Sequence, residues 1–291
     1  MSSAPVILTR RRRAFGVTHS GAAAAAHYGF ADRYANNQTC CRVRRSSDHA
    51  ETDVTTAQVR SWLPSWVGSG PSDHGYVTTA YDLTSNGNHA TQATAGSQPR
   101  IVSGGALITD DYGNPAMDFD GSQDELVAPY DASMLASSGL SVYMVFSVPG
   151  GVSTSSIEYL AGRMTSDKRC WAVAAWTSAG YPRLQIGTAN GESATAAWGS
   201  DGYDESATRV VSWDYNAGAI VIKVGGTPQT LSEAGTHANP LNQEDAPLTI
   251  GGDGILNGES RISELVFYPS SRSSTQTTIA RELEANLGIA I

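Results

Sequence analysis

From residue 75 onward, short apolar runs recur about every ten residues and are separated by turn-forming residues. Apolar and polar positions alternate within several of these runs, a pattern typical of β-strands with one buried face. The hairpin signal at 216-NAG-218 and the regular spacing predict an antiparallel sandwich of two sheets. The runs predicted as strands are 76–82, 115–121, 140–148, 171–176, 183–188, 208–215, 219–226, 247–252 and 261–269.

The end of the chain carries a helical pattern. Ile279, Leu283 and Leu287 repeat every four residues, so they share one face of a helix. A serine at 273 or 274 is expected to cap the start of this helix, and Gly288 is expected to end it. The sequence therefore predicts one C-terminal helix.

A second helical signal precedes the β pattern. Ser20 stands at a capping position before the alanine-rich stretch 21–35, because serine hydroxyls accept from the first free amides of a helix. Alanine favours helix, and Tyr28, Phe30 and Tyr34 could anchor it. The sequence therefore predicts an N-terminal helix.

We interpret the chain as one compact domain with an N-terminal extension, since no tandem repeat and no long linker divides it. Residues 1–19 are predicted to form an extended basic docking arm. Residues 20–74 hold the N-terminal helix and a short strand-like piece that lead into the sandwich. Residues 75–291 are predicted to form the sandwich itself.

The stretch 81-YDLTSNGNHATQAT-94 concentrates polar turn-forming residues. Asn86-Gly87 favours a tight turn because both residues tolerate a positive φ. Asp82, Asn88 and His89 carry groups that bind metals or sugars, but such side chains also bond to the backbone of their own turn. We interpret this loop as a structural corner, with a binding site as the alternative.

Composition and charge restrict the partners. With 40% hydrophobic and 16% charged residues, the 291-residue chain has the composition of a globular protein. Its net charge is −9: residues 1–60 hold nine arginines against four acids (+5), and the remainder holds 10 basic against 24 acidic residues (−14). An acidic body argues against nucleic-acid binding. The run Arg10, Arg11, Arg12 and Arg13 is interpreted as a solvated or docking arm, with contact to nucleic acid or an acidic partner as the alternative.

Membrane, secretion and cysteine signals are weak. No stretch of about 18 apolar residues is present, so no membrane-spanning segment is expected, and the alanine run is too weakly apolar for a secretion signal.

Cys40, Cys41 and Cys170 cannot form a disulfide framework. We expect reduced thiols, with a strained Cys40–Cys41 disulfide as the alternative, and no zinc site, because further ligands at suitable spacing are absent. These features are typical of a protein made in a reducing cytoplasm.

Several segments occur in an order found in known modules. The segments 42-RVRRSSDHAETDV-54, 76-YVTTAYDLTSNGNHATQAT-94 and 113-GNPAMDFDGSQDEL-126 follow one another. This order resembles a module common in bacteriophage virion proteins. The closing segments 248–253, 258–269 and 281–289 are similar to the final strand and helix of concanavalin A-like (laminin-G-like) jelly rolls. The resemblance implies a jelly-roll fold.

The first half also resembles the catalytic domain of fungal arabinofuranosidase B, where an R-x-SD strand precedes a YDxSGNGNHxTQ segment. In that family the acid/base aspartate ends a GGD strand, so the match to 251-GGD-253 makes Asp253 the one catalytic candidate. A retaining glycosidase also needs a second carboxylate as nucleophile. The corresponding stretch, 157–173, lacks the family's motif, and Glu158 aligns poorly. We therefore expect no glycosidase activity.

Aromatic and polar residues of the second half are candidates for glycan contacts, because an aromatic face beside polar groups binds sugars. Trp198 lies in a polar segment and is the preferred contact, whereas Trp213 alternates with apolar neighbours and is expected in the core. The acidic groups 109–114 and 201–205 leave calcium open as a ligand, although neither matches an EF-hand loop. The candidate glycan-binding residues are Trp198, Tyr203, Trp171, Trp176, Arg163, Asn190 and Asp253.

These observations predict a mainly β protein, a concanavalin A-like antiparallel jelly roll with an N-terminal arm and helix and a C-terminal helix. The predicted function is that of a non-enzymatic bacteriophage virion protein, a tail-associated fibre or adhesin in preference to a head decoration protein. Expected partners are other virion proteins, further copies of the chain and a host-surface glycan, whose weak binding would be strengthened by multiple copies. No membrane, nucleic acid or cofactor is expected, apart from the open question of calcium. The alternatives are a glycoside hydrolase of the arabinofuranosidase type and a free carbohydrate-binding module.

Overall fold

The computed structural model describes residues 24–31, 37–136, 139–149, 157–164, 169–176, 181–187, 195–199, 206–234, 241, 245–252 and 258–288. Within these residues it contains twenty β-strands, three α-helices and two short 3-10 helices at Ala95–Ser97 and Ala132–Met134. The helices are α1 (Thr56–Ser61), α2 (Leu63–Val67) and α3 (Gln276–Leu287). The strands are β1 (Ala26–Gly29), β2 (Thr39–Arg45), β3 (Glu51–Thr55), β4 (Gly75–Ala80), β5 (Ala90–Thr91), β6 (Arg100–Ser103), β7 (Ala106–Leu107), β8 (Met117–Asp120), β9 (Leu126–Ala128), β10 (Gly139–Ser147), β11 (Ile157–Met164), β12 (Arg169–Trp176), β13 (Tyr181–Ile186), β14 (Thr195–Gly199), β15 (Arg209–Asn216), β16 (Ala219–Val224), β17 (Thr227–Pro228), β18 (Leu231–Ala234), β19 (Leu248–Ile250) and β20 (Glu259–Tyr268).

The strands form two antiparallel layers. In the first layer β17, β16, β15, β10 and β20 lie side by side, and β1 and β8 pair with successive parts of β20. In the second layer the order is β5, β9, β19, β11, β12, β13, β14 and β18. Trp171 on β12 packs against Phe267 on β20, with ring centroids 5.0 Å apart, so the core lies between the layers. The predicted mainly β, antiparallel sandwich is confirmed.

Strands from the first 74 residues belong to the same sheets as the later ones. β2 pairs with β3 and β4, and β4 also pairs with β5 and β6. Strand β6 pairs with β8, which leads back to β20 in the first layer. The short segment β2–β4–β6–β8 therefore connects the two layers at one end of the sandwich.

Helix α3 covers the outer face of the first layer. Strand β10 is buried at every position, so its outward side chains need a cover as well as its inward ones. The cover is a second apolar cluster formed with α3: Ala24, Tyr143, Val145, Val210, Val266, Tyr268, Ile279, Ala280 and Leu283. The helix ends at Gly288, whose left-handed φ of 68° matches the predicted stop. Its N-cap is Thr275, one residue beyond the predicted serines.

The predicted N-terminal helix is wrong where the structure describes it. Residues Ala26–Gly29 form strand β1, which pairs antiparallel with β20 from Glu264 to Phe267. Tyr28 and Phe30 are each 1% exposed and anchor the segment in the core. Alanine propensity is a weak preference, and pairing with an open strand edge overrides it. Tyr34 lies outside the described residues.

The loop after β4 closes the free edge of β1. The Asp82 carboxylate accepts from the His27 amide at 3.0 Å, and the Leu83 amide donates to the His27 carbonyl at 2.8 Å. The Asn88 side-chain amide donates to the Ala25 carbonyl at 2.7 Å. Gly87 has a φ of 75°, as the turn signal requires. The predicted structural corner is confirmed in its contacts.

The structure also bears on the predictions for the cysteines, for Trp213 and for membrane-spanning segments. Cys40, Cys41 and Cys170 are buried and free, and the Sγ atoms of Cys40 and Cys41 are 3.9 Å apart. Trp213 is fully buried, as its alternation predicts. None of the helices in the described part of the chain is long and apolar enough to cross a membrane.

Candidate functional site

Two of the predicted glycan contacts are core residues. Trp171 is 1% exposed and lies against Phe267, so its ring cannot serve as a sugar platform. Arg163 is also 1% exposed, and it donates from Nε to the Ala246 carbonyl and from Nη1 to the Met134 carbonyl, at 3.1 and 2.8 Å. Burial lowers the pKa of Arg163. The prediction that these two residues contact a glycan is therefore wrong, and both have structural roles. A strand residue that faces the interior is buried whatever its type.

The other predicted contacts are not described at side-chain level. Trp176 lies at the end of β12 and Trp198 in β14, where it is in register with Arg183 on β13. Asn190, Tyr203 and Asp253 lie outside the described residues, as do the predicted docking residues Arg10, Arg11, Arg12 and Arg13. Their roles remain predictions.

One calcium candidate is filled by protein donors. Asp110 is 5% exposed, and its Oδ1 accepts from the amides of Tyr112 and Asn114 at 2.9 and 2.8 Å. Its Oδ2 accepts from the Asn114 side-chain amide and from the Ser263 hydroxyl. A carboxylate engaged by four donors holds a turn together and leaves little room for a cation. Residues 201–205 lie outside the described part, within which no group of three or more His, Cys, Asp or Glu side chains could hold a metal.

A polar cleft of about 260 Å³ opens beside the β2–β4–β6–β8 segment. No motif in the sequence predicts a site at this position. Its walls come from β4, the 3-10 helix Ala95–Ser97, β6 and the turn after β8. Residues that are distant in sequence therefore meet in this cleft. The lining residues are Tyr76, Ala95, Gly96, Gln98, Arg100, Asp120 and Asp124.

The turn 120-DGSQD-124 shapes one wall of this cleft. Asp120 Oδ1 accepts from the amides of Ser122 and Gln123 at 2.8 and 3.2 Å, an arrangement typical of Asx turns. Asp124 Oδ2 accepts in return from the Asp120 amide at 3.3 Å. Gly121 has a φ of 72°, and a Cβ there would approach the Glu259 amide to 2.8 Å. The glycine is therefore required for the turn to lie against β20.

A tyrosine held by an arginine forms the opposite wall. The Arg44 guanidinium stands 4.8 Å from the centre of the Tyr76 ring. Arg44 Nε donates to Gln98 Oε1 at 2.8 Å, and Gln98 Nε2 donates to the Gln92 carbonyl at 2.9 Å. Arg44 and Gln98 are 8% and 4% exposed. The wall is thus preorganised before any ligand arrives.

The two aspartates of the cleft have opposite electrostatic environments. Burial, reinforced by the charge of Asp120, raises the pKa of Asp124 to about 6. Burial acts against Asp120 too, but the backbone amides of Ser122, Gln123 and Asp124 outweigh it, so the pKa of Asp120 is lowered. Near neutral pH one carboxylate is firmly ionised and the other lies close to its titration point.

Arg100 brings positive charge to the same cleft. Its Nη2 donates to Asp118 Oδ2 at 3.2 Å, and Arg261 Nε donates to Asp118 Oδ1 at 2.9 Å. Asp118 is therefore held between two guanidinium groups. Arg100 lines the cleft, and its Nε and Nη1 make no hydrogen bond within the described part of the chain.

A second carboxylate lies near the predicted catalytic strand end. β11 pairs with β19, and the Gly251 amide donates to the Leu160 carbonyl at 2.9 Å. Glu158 lies two residues earlier on β11, half-buried, and its Oε2 accepts from the Glu259 amide at 3.0 Å. The topology thus brings Glu158 to the end of the sandwich where Gly251 and Gly252 follow β19. Sequence spacing alone did not show this neighbourhood.

Comparison with known proteins identifies the fold. No protein-family model matches the sequence, and no curated protein sequence is similar to it. Among solved structures, the chain is similar to a GH54 α-L-arabinofuranosidase soaked with a cyclic sulfate inhibitor (TM-score 0.62, 15% identity, 92% of this chain and 63% of that chain). It is also similar to an arabinofuranosidase complexed with arabinofuranosyl-α-1,2-xylobiose (0.56, 13%, 92% and 62%) and to the binding domain of Paraclostridial Mosquitocidal Protein 1 (0.53, 12%, 70% and 49%).

These similarities establish a shared β-sandwich fold. The predicted structural relation to arabinofuranosidases is confirmed at the level of the fold. The chain spans less than two thirds of the arabinofuranosidase chains that it matches. The resemblance to bacteriophage virion modules stays a prediction.

Proposed function

We propose that this chain is a non-enzymatic glycan-binding protein of a bacteriophage particle, with the sugar held in the cleft between Tyr76 and the turn 120–124. The cleft is the observation that carries the proposal, because it combines an aromatic ring with carboxylate and guanidinium groups. This combination of groups binds sugars, because the aromatic ring covers the apolar face of the sugar and the polar groups form hydrogen bonds with its hydroxyls. The solved structures with this fold include an arabinofuranosidase complexed with a sugar and a toxin binding domain, which is in keeping with the proposal.

The particle assignment rests on the sequence resemblance and on charge. The basic run 10–13 belongs to a segment of +5, whereas the rest of the chain carries −14. Such an arm suits docking to an acidic neighbour in the virion. A tail-associated fibre or adhesin is preferred to a head decoration protein, because repeated copies on a tail would strengthen weak glycan binding at a host surface.

A glycan array probed with the purified chain tests the binding function. Retention of glycans by the native protein, and its loss in Tyr76→Ala, would support the cleft as the site. Tyr112→Ala is the matched control, since Tyr112 is 40% exposed and lies away from the cleft lining. Equal binding by both variants would place the sugar elsewhere, and no binding by the native chain would refute the function. Electron microscopy of particles carrying a labelled chain tests the virion assignment.

Arabinofuranoside hydrolysis is the second candidate, favoured by the position of Glu158. A retaining mechanism needs two carboxyl groups about 5–5.5 Å apart, and Glu158 lies on the strand beside the one that leads to Asp253. The substrate to use is 4-nitrophenyl α-L-arabinofuranoside, which was soaked into a solved structure with this fold. Hydrolysis that disappears in both Glu158→Gln and Asp253→Asn would establish this enzyme activity. We expect no hydrolysis.

A further inference from the structure

The cleft contains hydrogen-bonding atoms that have no partner within the described part of the chain. Asp120 uses Oδ1 for the turn amides, which leaves Oδ2. Asp124 uses Oδ2 for the Asp120 amide, which leaves Oδ1, although the residue is only 6% exposed. Arg100 uses Nη2 for Asp118, which leaves Nε and Nη1. None of these atoms is among the buried polar atoms that lack a partner, so they are open to solvent in the cleft, where a ligand that supplies donors to the carboxylates can replace water.

Charges of both signs surround Asp124. Asp120 and Asp118 are the acidic groups that act on it, and Arg100 is the basic one. Asp118 is in turn neutralised by Arg100 and Arg261. Across the cleft stand the uncharged Tyr76 ring and, behind it, the Arg44 guanidinium. A ligand with a full charge of either sign would therefore face a like charge within the same cleft.

The position of an added proton on Asp124 is fixed by geometry. Oδ2 receives the Asp120 N–H, and a carbonyl oxygen accepts such a bond better than a hydroxyl oxygen does. A proton is therefore favoured on Oδ1, the oxygen available to a ligand. Protonation converts that oxygen from an acceptor with a full charge into a neutral donor.

We infer that the cleft takes a neutral sugar by two adjacent hydroxyl groups, which donate to Asp120 Oδ2 and Asp124 Oδ1, and that protonation of Asp124 weakens the binding. Arg100 donates to the sugar oxygens, and Tyr76 covers the apolar face of the ring. This inference rests on the proposed glycan-binding function and adds to it the ligand class and a proton dependence. Charge-assisted hydrogen bonds are about twice as strong as neutral ones, so losing one weakens binding about threefold to tenfold.

The test uses an array of neutral, carboxylated and amino glycans that includes arabinofuranosyl-α-1,2-xylobiose, read at pH 5 and pH 8. We expect binding of neutral glycans only, about threefold to tenfold weaker at pH 5 than at pH 8. In Asp124→Asn the affinity should not change between these pH values. Asp48→Asn is the control, because Asp48 lies in an exposed turn with Arg45 and should behave like the native chain.

Each outcome separates the inference from the function on which it rests. Preference for carboxylated or amino glycans, or a pH dependence that survives in Asp124→Asn, would overturn the inference and leave glycan binding intact. Binding that requires calcium and is abolished by a chelator would also overturn it, because the carboxylates would then hold a metal. No binding at either pH would refute the proposed function itself. Carbon NMR of the Asp124 carboxyl group without any glycan gives an independent reading, and a midpoint near 4 would remove the proton dependence.

Discussion

His27 on β1 and Glu264 on β20 are joined in the interior of the protein, with Nε2 and Oε1 2.9 Å apart. Their side chains are 0% and 4% exposed. His27 lies opposite Val266, two residues from Glu264, so the bond runs diagonally between the strands and joins the first strand in the described part of the chain to β20. Removing one member of such a pair leaves the other buried without it.

Glu264→Leu should therefore destabilise the protein strongly. Loss of one partner from a buried hydrogen bond costs about 1–3 kcal/mol in the free energy of unfolding. Urea denaturation followed by tryptophan fluorescence measures it. Asp53→Ala is the control, because the Arg42–Asp53 pair is 44% and 46% exposed and should contribute about 1 kcal/mol or less. Equal losses in the two variants would contradict the role assigned to the buried pair.

Asp82→Ala should cost more than a simple turn hydrogen bond. The carboxylate is 6% exposed and accepts from the His27 amide, from the Asn88 amide and from both the amide and the hydroxyl of Thr84. Removing it leaves several donors unpaired, at about 1–3 kcal/mol for each one that water cannot reach. We expect a lower melting temperature with unchanged glycan binding below it. Lost binding at an unchanged melting temperature would make the loop a site.

Asp124→Asn should stabilise the protein at alkaline pH. An acid whose pKa is raised by folding, here to about 6, stabilises the folded state below its unfolded pKa of about 4 and loses that contribution as the pH rises through 6. At pH 8 the folded protein thus bears the cost of a buried charge, about 1–2 kcal/mol after screening by water in the cleft. Urea titrations should show this gain at pH 8 and almost none at pH 4.

The neighbouring aspartate provides the control. Folding lowers the pKa of Asp120, so its charged form is favoured in the folded state. Asp120→Asn should therefore lose stability at pH 8, with the opposite sign to Asp124→Asn. The same sign for both variants would contradict the two environments described for the cleft.

Tyr76→Ala should weaken glycan binding at least tenfold, since stacking on an aromatic ring supplies much of the contact area in sugar sites. Isothermal titration measures the change, with Tyr112→Ala expected to match the native chain. A melting curve must accompany it, because the Tyr76 ring also packs on Arg44. Unchanged affinity in a folded Tyr76→Ala protein would exclude the ring from the site.

Deletion of residues 1–18 should separate assembly from folding. The sandwich described here begins at β1, so the shortened chain should remain soluble and melt cooperatively. Without the run Arg10–Arg13 it should no longer enter particles. Immunoblots of purified particles measure incorporation, and normal incorporation of the shortened chain would contradict the docking role.

The sequence predicted the elements whose signal is periodic. The strands were predicted because short apolar runs recur between turn-forming residues, and α3 was predicted because its apolar residues repeat on one face. Alternation along β15 also placed Trp213 in the core. Strand β1 was missed because its alanines indicate helix, and only pairing with distant β20 makes it extended. Trp171 and Arg163 looked like surface groups because residue type does not reveal which way a strand faces.

The cleft could not be predicted in the same way. The pairing of β4, β6 and β8 brings together Tyr76, Gln98 and Asp124. The spacing of residues along the chain does not predict which strands will pair. The one sequence signal was 120-DGSQD-124, where two aspartates bracket a glycine. That motif predicts a turn. Its position in the wall of a cleft depends on the tertiary structure, which the motif does not predict.

The side chains that close the edge of β1 also bear on how the protein behaves when many copies are crowded together. An uncapped strand edge offers its free amides and carbonyls to any neighbouring chain and invites sheet-to-sheet aggregation. Here Asp82 and Asn88 take those groups, and their carboxylate and amide cannot extend the sheet further. A loop of this kind keeps densely displayed copies apart, so damage to it would appear first as precipitation during expression.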